Sequence, residues 1–359
     1  MLKILDTYII KNYLITFLVA LFLFIPIGIM VDVAERIDKF KENEIPFNEI
    51  IDYYFDFMWY FGNLLFPILL FLSIIWFTSK LANNTEIISI LSSGVSFSRF
   101  LRPYFISASL LAIISFFIGM FIVPRASKGF NEFNYKYLNK KFQIRNTSRV
   151  FKQISKNEFV YVSSYNPTRE RAMDFTLEHF ENEKLKFKIM AQSIRWIKSD
   201  SVFRLLNFRK RSIYEDEEVL IKKKSVDTIF NFNIQDLSPL NYKAETLTLF
   251  DLNKFINSEI KSGSKLINQH LLVRHKRYSL PLSVFVLTLI SVSVSSVRRR
   301  GGMGMNLAMG ILMGFLFIFI DKVLVVLVNK SNFSAAVAAW SPILFFAGAG
   351  FFLMRYAKR

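Results

Sequence analysis

Six stretches without a charged residue lie along the chain, and each is long enough to cross a lipid bilayer. They contain 20 to 24 residues, and a helix that spans the hydrocarbon core needs about 20. Their apolar residues are continuous rather than alternating, which excludes the strands of a membrane barrel. The stretches are 12–31, 57–79, 103–124, 278–297, 301–320 and 331–354. The pattern therefore predicts an α-helical integral membrane protein with six transmembrane helices.

The segment between the third and fourth stretches, residues 125–277, has a different pattern. Apolar and polar residues alternate in short runs spaced by roughly ten residues, which is typical of an antiparallel sandwich, barrel or jelly roll. The runs are 149–154, 157–162, 174–180, 185–191, 194–197, 202–207 and 225–232. Helical patterns flank them at 128–141 and 251–262. We expect an N-terminal membrane half (1–124), an inserted all-β domain with flanking helices (125–277) and a C-terminal membrane half (278–359).

Charge gives the expected orientation. Short basic segments mark the cytoplasmic side of a membrane protein, and here they are the N-terminus, the loop 80–102, the Arg298–Arg300 run and the C-terminus. Both termini are therefore expected in the cytoplasm and residues 125–277 outside it. That segment has 30 Lys and Arg against 17 Asp and Glu, so it carries +13 of the net charge of +18. A positive domain on the outer side argues against a nucleic-acid partner.

The composition excludes several kinds of chemistry. The chain has no cysteine, so it cannot form a disulfide framework, act through a thiol or bind zinc through Cys. It has no G-x-x-x-x-G-K-[ST] nucleotide loop, and the five-residue spacing of His270 and His275 does not fit a zinc protease. We find no nucleophile–base pair. We therefore predict no catalytic residue, no metal site and no cofactor in this chain.

The loop between the second and third stretches contains a short amphipathic segment at about 84–94. Ile87, Ile90 and Leu91 would share one face of a helix that Gly94 ends. Glu86 near the first turn could pair with an Arg of a partner or complement the helix dipole. The segment is either a helix that docks into a groove of a soluble partner or a plain interfacial loop.

Two charged groups flank the stretches on the predicted outer side. The first group follows the first stretch and consists of Arg36, Lys39 and Lys41. It is either part of a solvated loop or a receptor for an anionic headgroup. Asp321 and Lys322 directly follow the fifth stretch, and the apolar run resumes after them. They either reach the headgroups or line a substrate path, because ionisable residues at this depth need a partner or a polar cavity.

Five motifs in this order resemble those of the LptF/LptG (YjgP/YjgQ) family of lipopolysaccharide export permeases. The opening L-D-x-Y-I favours the LptG side of the family. In one departure, Val273 replaces the Glu that many relatives have two residues before the His. The motifs are L-D-x-Y-I at 5–9, the coupling-helix stretch 86–103, the β signature 185–196, the H-x-R-x-x-x-P at 275–281 and the R-R-G-G turn within 298–302.

The resemblance implies one half of an ABC transporter, in which two such permeases pair. A cytoplasmic LptB-like ATPase dimer would bind ATP and Mg and supply the energy. The pair would extract lipopolysaccharide from the inner membrane of a Gram-negative bacterium. The lipid would then pass through a periplasmic β-jellyroll domain to LptC-like and LptA-like bridge proteins.

The resemblance also implies roles for the candidate residues. Glu86 and its helix would contact the ATPase, and Arg36, Lys39 and Lys41 would meet the phosphates of the lipid. Asp321 and Lys322 would lie on a span that lines the cavity. An alternative function is a membrane-anchored periplasmic sensor or envelope-assembly scaffold without transport activity. An integral lipid-modifying enzyme would need an acid/base or metal set that we do not find.

Overall fold

The computed structural model describes residues 3–138, 150–166, 170–197, 200–214, 217–230, 232, 243–261, 263–264, 266–296 and 302–357. They divide into two compact units. The first comprises Met1–Phe130, Ala244–Leu252 and Asn268–Arg359, and the second comprises Asn131–Lys243 and Asn253–Ile267. The first unit thus includes 244–252 and 268–277, which lie within the segment that the sequence pattern assigns to the inserted domain.

Within the described ranges, six helices are long and apolar enough to cross a membrane, which confirms the six predicted spans. The third span continues from its helix through π-helical turns as far as Leu138. The helices are α1 (Ile4–Glu42), α2 (Phe47–Asn83), α3 (Glu86–Ser92), α4 (Phe97–Phe117), α5 (Val123–Phe133), α6 (Lys243–Thr246), α7 (Leu249–Lys261), α8 (Ile267–Ser295), α9 (Gly302–Lys330) and α10 (Ala335–Ala357). The spans begin with α1, α2, α4, α8, α9 and α10.

The charged segment 32–56 is helical for most of its length, although its charges suggest a loop. Helix α1 continues to Glu42, and α2 begins at Phe47. Charged residues such as Glu, Lys and Arg are good helix formers and do not end a helix outside the bilayer. Arg36, Lys39 and Lys41 therefore lie on the last turns of α1.

Two of the spans form the centre of the first unit. In the apolar windows of α2 and α8, 56% and 67% of the residues are buried, against 6% in α1 and 17% in α9. Buried hydroxyl groups join the helices: the Tyr13 hydroxyl lies 3.1 Å from Thr288 Oγ1, and Thr78 Oγ1 lies 3.0 Å from the Tyr104 hydroxyl. Such hydrogen bonds help transmembrane helices to associate, because the surrounding lipid is as apolar as the side chains and the hydrophobic effect therefore does not drive the helices together.

Helix α9 approaches α2 closely through two glycines four residues apart. A Cβ atom on Gly310 would lie 2.1 Å from Ile75 Cδ1, and one on Gly314 would lie 2.9 Å from Phe71 Cδ1. This G-x-x-x-G spacing places both glycines on one face of the helix and lets the two helices pack at short range.

The second unit contains a seven-stranded antiparallel sheet, which confirms the inserted all-β domain. The strand order β1-β2-β4-β5-β6-β7 follows the chain, and β3 pairs with β4. The strands are β1 (Val150–Ser155), β2 (Glu158–Val162), β3 (Ser164–Asn166), β4 (Arg171–Glu181), β5 (Lys184–Ile197), β6 (Val202–Ile213) and β7 (Glu218–Thr228). Its core includes Val160, Phe175, Leu177, Ile194, Phe203 and Leu205.

In the middle of the sheet, the alternation of inward-facing and outward-facing residues shifts by one position. The shift occurs at Asp174 of β4, Gln192 of β5 and Asn207 of β6, which lie side by side on neighbouring strands. Asp174 in β4 and Asn207 in β6 have positive φ angles of 50° and 53°, and the Asn207 side chain donates to Gln192 of β5 at 2.6 Å. As a result Ala172 and Phe175, three residues apart, are both buried. Residues in this conformation bend the strand as a bulge does.

Parts of several predicted elements lie outside the described residues. They are residues 139–141 at the end of the polar helix, residues 149 and 231 at the limits of two strand runs, residue 262 at the end of the second helical pattern, and residues 297–301, which include the end of the fourth stretch, the start of the fifth and most of the R-R-G-G turn.

Candidate functional site

Helix α3 lies at one end of the first unit, between α2 and α4, and its apolar face points into the unit. Thr85 precedes it with a positive φ of 62°. Ile87 is only 2% exposed, and Ile90 and Leu91 pack against the same core. The three apolar residues that the sequence singled out therefore attach α3 to its own helix bundle.

The opposite face of α3 is open. Ile88 is 53% exposed, and the next exposed positions are Ser89 and Ser92. Gly94 ends the segment with a φ of 88°, a conformation that other residues rarely adopt. Ile88 was not among the site residues predicted from the sequence. The available signal was that it is the one apolar residue of α3 outside the predicted apolar stripe.

The Glu86 carboxylate is held by two neighbours. It accepts hydrogen bonds from the Tyr8 hydroxyl at 3.3 Å and from Asn84 Nδ2 at 3.1 Å. Tyr8 belongs to the first turns of α1, so this contact links α3 to α1. The side chain is only partly exposed, and one edge of the helix remains accessible beside it.

A second link at the same end joins the beginnings of α1 and α4. The Arg99 guanidinium donates to both carboxylate oxygens of Asp6, at 2.7 and 2.6 Å, and Asp6 is 2% exposed. The same carboxylate accepts the backbone N–H of Lys3 at 2.9 Å. Paired parallel bonds between Arg and a carboxylate fix both distance and orientation. Neither residue was a predicted site residue, although Asp6 stands in the L-D-x-Y opening.

The three basic residues at the end of α1 differ in their surroundings. Arg36 Nε lies 2.8 Å from Asp32 Oδ1, and its guanidinium lies 5.7 Å from the centre of the Tyr53 ring. The side chains of Lys39 and Lys41 are exposed. Among the described residues, no carboxylate forms an ion pair with either lysine. Arg36 is thus engaged within the chain, whereas both lysines can meet an external anion.

Asp321 and Lys322 also differ from each other. The Asp321 carboxylate accepts from Lys276 Nζ of α8 at 3.0 and 2.7 Å, so its charge is balanced inside the chain. Lys322 is exposed. Sequence reasoning missed Lys276, although it lies within the H-x-R-x-x-x-P motif. The adjacent Arg277 donates to the carbonyl groups of Ala244 and Leu247 and so holds the end of α6.

No group of three or more metal-ligating side chains occurs in the part of the chain that the structure describes. The geometry offers charged and apolar contact surfaces, and we identify no reacting group on them.

One family model matches residues 7–356, and its description is "Lipopolysaccharide export system permease LptF/LptG". No curated protein matches the chain. The family match spans both membrane halves and the inserted sheet.

Proposed function

The chain belongs to the LptF/LptG family of lipopolysaccharide export permeases, and on that premise we propose how it works within the export system. Members of the family are non-catalytic permease subunits in a multi-pass membrane arrangement. We propose that this chain is one of two transmembrane subunits of an ABC transporter. The second subunit is another LptF/LptG-type permease, and a cytoplasmic LptB-like ATPase dimer binds ATP and Mg for both.

The observation that carries the proposal is the way α3 is fastened. Its apolar face packs into the helix bundle, and Glu86 contacts Tyr8 at the start of α1. The Asp6–Arg99 pair then joins the start of α1 to the start of α4. A force applied to the exposed face of α3 would therefore reach two spans through direct contacts. This arrangement suits a helix that receives movement from an ATPase.

The orientation of the proposal follows from charge. The end of the bundle that carries α3 also carries Lys80, Arg99 and Arg102, and short basic segments favour the cytoplasm. We therefore assign α3 and both termini to the cytoplasm and the β domain to the periplasm. Because lipopolysaccharide export begins at the inner membrane of a Gram-negative bacterium, we also assign the chain to that membrane.

The least covered spans suit a cavity shared with the second permease. Large apolar side chains are exposed along α1 and α9, among them Phe22 at 78% and Phe315 at 63%. These faces can meet a second permease and the acyl chains of the substrate. ATP-driven movement of α3 would narrow the cavity between them and push the lipid outward.

Charged groups near the outer ends of the same spans suit the phosphates of lipopolysaccharide. We assign direct contact to Lys39, Lys41 and Lys322, whose exposed ammonium groups can approach an anionic headgroup. We assign no direct contact with the phosphates to Arg36 and Asp321, because each already forms an ion pair within the chain. We propose that they support the site next to the three lysines.

The β domain offers an edge for the periplasmic bridge. Strand β7 pairs with β6 on one side, and no described strand pairs with its other side. Leu220 in this strand is 53% exposed. An open edge can extend its sheet by pairing with a strand of another protein. We propose that LptC-like and LptA-like partners continue the sheet from this domain and receive the lipid there.

The test is co-purification of the ATPase with tagged full-length chain from native membranes. We expect Glu86→Lys to lower ATPase recovery at least severalfold, because it reverses the charge beside the exposed face of α3. Ile88→Ser should do the same by removing the exposed apolar contact. Glu42→Lys is the matched control, since it reverses a charge at the opposite end of α1 and should leave recovery unchanged.

Full ATPase recovery with both α3 variants would refute docking through this helix. If no ATPase accompanied even the unmodified chain, the result would favour the sensor or scaffold alternative.

A further inference from the structure

A groove runs along α4 beside the end of α10. It is a shallow, open groove with a volume of about 490 Å³, and it is lined by Ser98, Leu101, Arg102, Phe105, Ile106, Ser109 and Met354. Six of these residues lie on α4 and repeat at spacings of three and four residues, which places them on one side of the helix. Met354 of α10 forms the other wall.

The groove changes from mainly polar to mainly apolar along its length, and the Ser109 hydroxyl at its deeper end donates to the Phe105 carbonyl at 2.8 Å. Ser98 and Arg102 lie in the first turns of α4, at the edge of the uncharged stretch that begins at Pro103. Phe105 and Ile106 follow one turn deeper, and Ile106 is 45% exposed. The polar end is therefore at the bilayer surface and the apolar end within the hydrocarbon. An amphiphile aligned with the membrane lipids has the same order of groups.

The polar end carries positive charge that the protein does not neutralise. Arg102 is exposed and makes no hydrogen bond or ion pair within the described part of the chain. By contrast, Arg99, three residues earlier, is bound to Asp6. Arg355 follows Met354 on α10 and lies over the Phe351 ring at 5.2 Å. Arg102 is thus the arginine that lines the groove at its surface end, and Arg355 follows a residue of the opposite wall.

We propose that this groove binds an anionic glycerophospholipid of the surrounding leaflet. The phosphate meets the Arg102 guanidinium and the Ser98 hydroxyl, and one acyl chain lies along Leu101, Phe105 and Ile106. The choice of an anionic lipid follows from charge complementarity, because a zwitterionic headgroup would bring a second positive charge to the arginine.

The test is lipid binding to the full-length chain, purified with its bound subunits and measured by native mass spectrometry. Phosphatidylglycerol and phosphatidylcholine are added separately as probes. A nearby cation contributes about 1 kcal/mol to anionic-lipid binding, so Arg102→Gln should weaken phosphatidylglycerol binding about fivefold. Phosphatidylcholine binding should not change. Ile106→Trp should fill the groove and weaken phosphatidylglycerol binding while retaining the charge.

Lys80→Gln is the matched control, because Lys80 is an exposed cation at the same end of the bundle that does not line the groove. It should leave phosphatidylglycerol binding unchanged. The proposal is overturned if Arg102→Gln binds phosphatidylglycerol as the unmodified chain does. It is also overturned if Lys80→Gln causes an equal loss, since attraction would then be a property of the whole surface.

Discussion

At the scale of single residues, the Asp6–Arg99 pair is the structural feature that gives the L-D-x-Y opening a physical role. A carboxylate that is 2% exposed needs a charged or hydrogen-bonding partner. Asp6 has Arg99 and the backbone of Lys3, and Tyr8 two residues later reaches Glu86. The opening therefore links α1 to both α3 and α4 at this end of the bundle.

We predict that Arg99→Gln destabilises the protein by about 1–3 kcal/mol, because it leaves the Asp6 carboxylate covered without its counter-charge. Asp6→Asn combined with Arg99→Gln should recover part of the loss, since two amides can hydrogen-bond without a buried charge. The measurement is the thermal unfolding midpoint of the purified protein in detergent. An unchanged midpoint for Arg99→Gln alone would show that the pair does not hold α1 to α4.

The candidate residues show what sequence alone can and cannot locate. The amphipathic pattern identified the segment that contains Glu86 and Gly94, and the basic residues of its loop identified the end of the helix bundle where it lies. It could not show that Ile87, Ile90 and Leu91 face inward, because an apolar stripe has the same spacing whether it meets its own bundle or a partner. The Tyr53 ring beside Arg36 and the Lys276 partner of Asp321 were also hidden, since both come from other helices.

At the scale of elements, the six spans followed directly from the sequence because their signal is a long uncharged run. The ends of the strands were harder to predict. The reason is the shift of the alternation at Asp174, Gln192 and Asn207, which lie side by side on β4, β5 and β6. The predicted runs began at 174, broke after 191 and ended at 207, whereas β4, β5 and β6 each continue past these residues. Positive φ at Asp174 and Asn207 shifts the period-two alternation there, so a search for strict alternation stops at each strand's bend.

Close packing between α2 and α9 gives a prediction at this scale. Gly310→Leu should lower the thermal midpoint, because its side chain must displace Ile75, and overpacking costs about 1–3 kcal/mol. Gly348→Leu on α10 is the matched control, since no atom lies within 4 Å of a Cβ at that glycine. Equal midpoints for the two variants would contradict the close approach of α9 to α2.

At the scale of the whole molecule, the apolar residues and the positive charge are concentrated in different parts of the chain. The apolar excess resides in six spans, and most of the positive charge resides in the segment that contains the β sheet. The spans with the least cover, α1 and α9, are those that the proposal places beside the lipid and the second permease. A chain that carries both a positively charged domain and helix faces with exposed apolar side chains suits the proposed substrate, which has both phosphates and acyl chains.

The most direct test of the central claim is ATP-dependent lipopolysaccharide release from proteoliposomes that contain the affinity-purified complex of this chain. Labelled lipopolysaccharide in the bilayer is transferred to a soluble bridge protein and counted over time. We predict release that requires ATP and Mg and that falls severalfold with Glu86→Lys. A complex that contains an active ATPase yet releases no more lipopolysaccharide with ATP than without it would contradict the account.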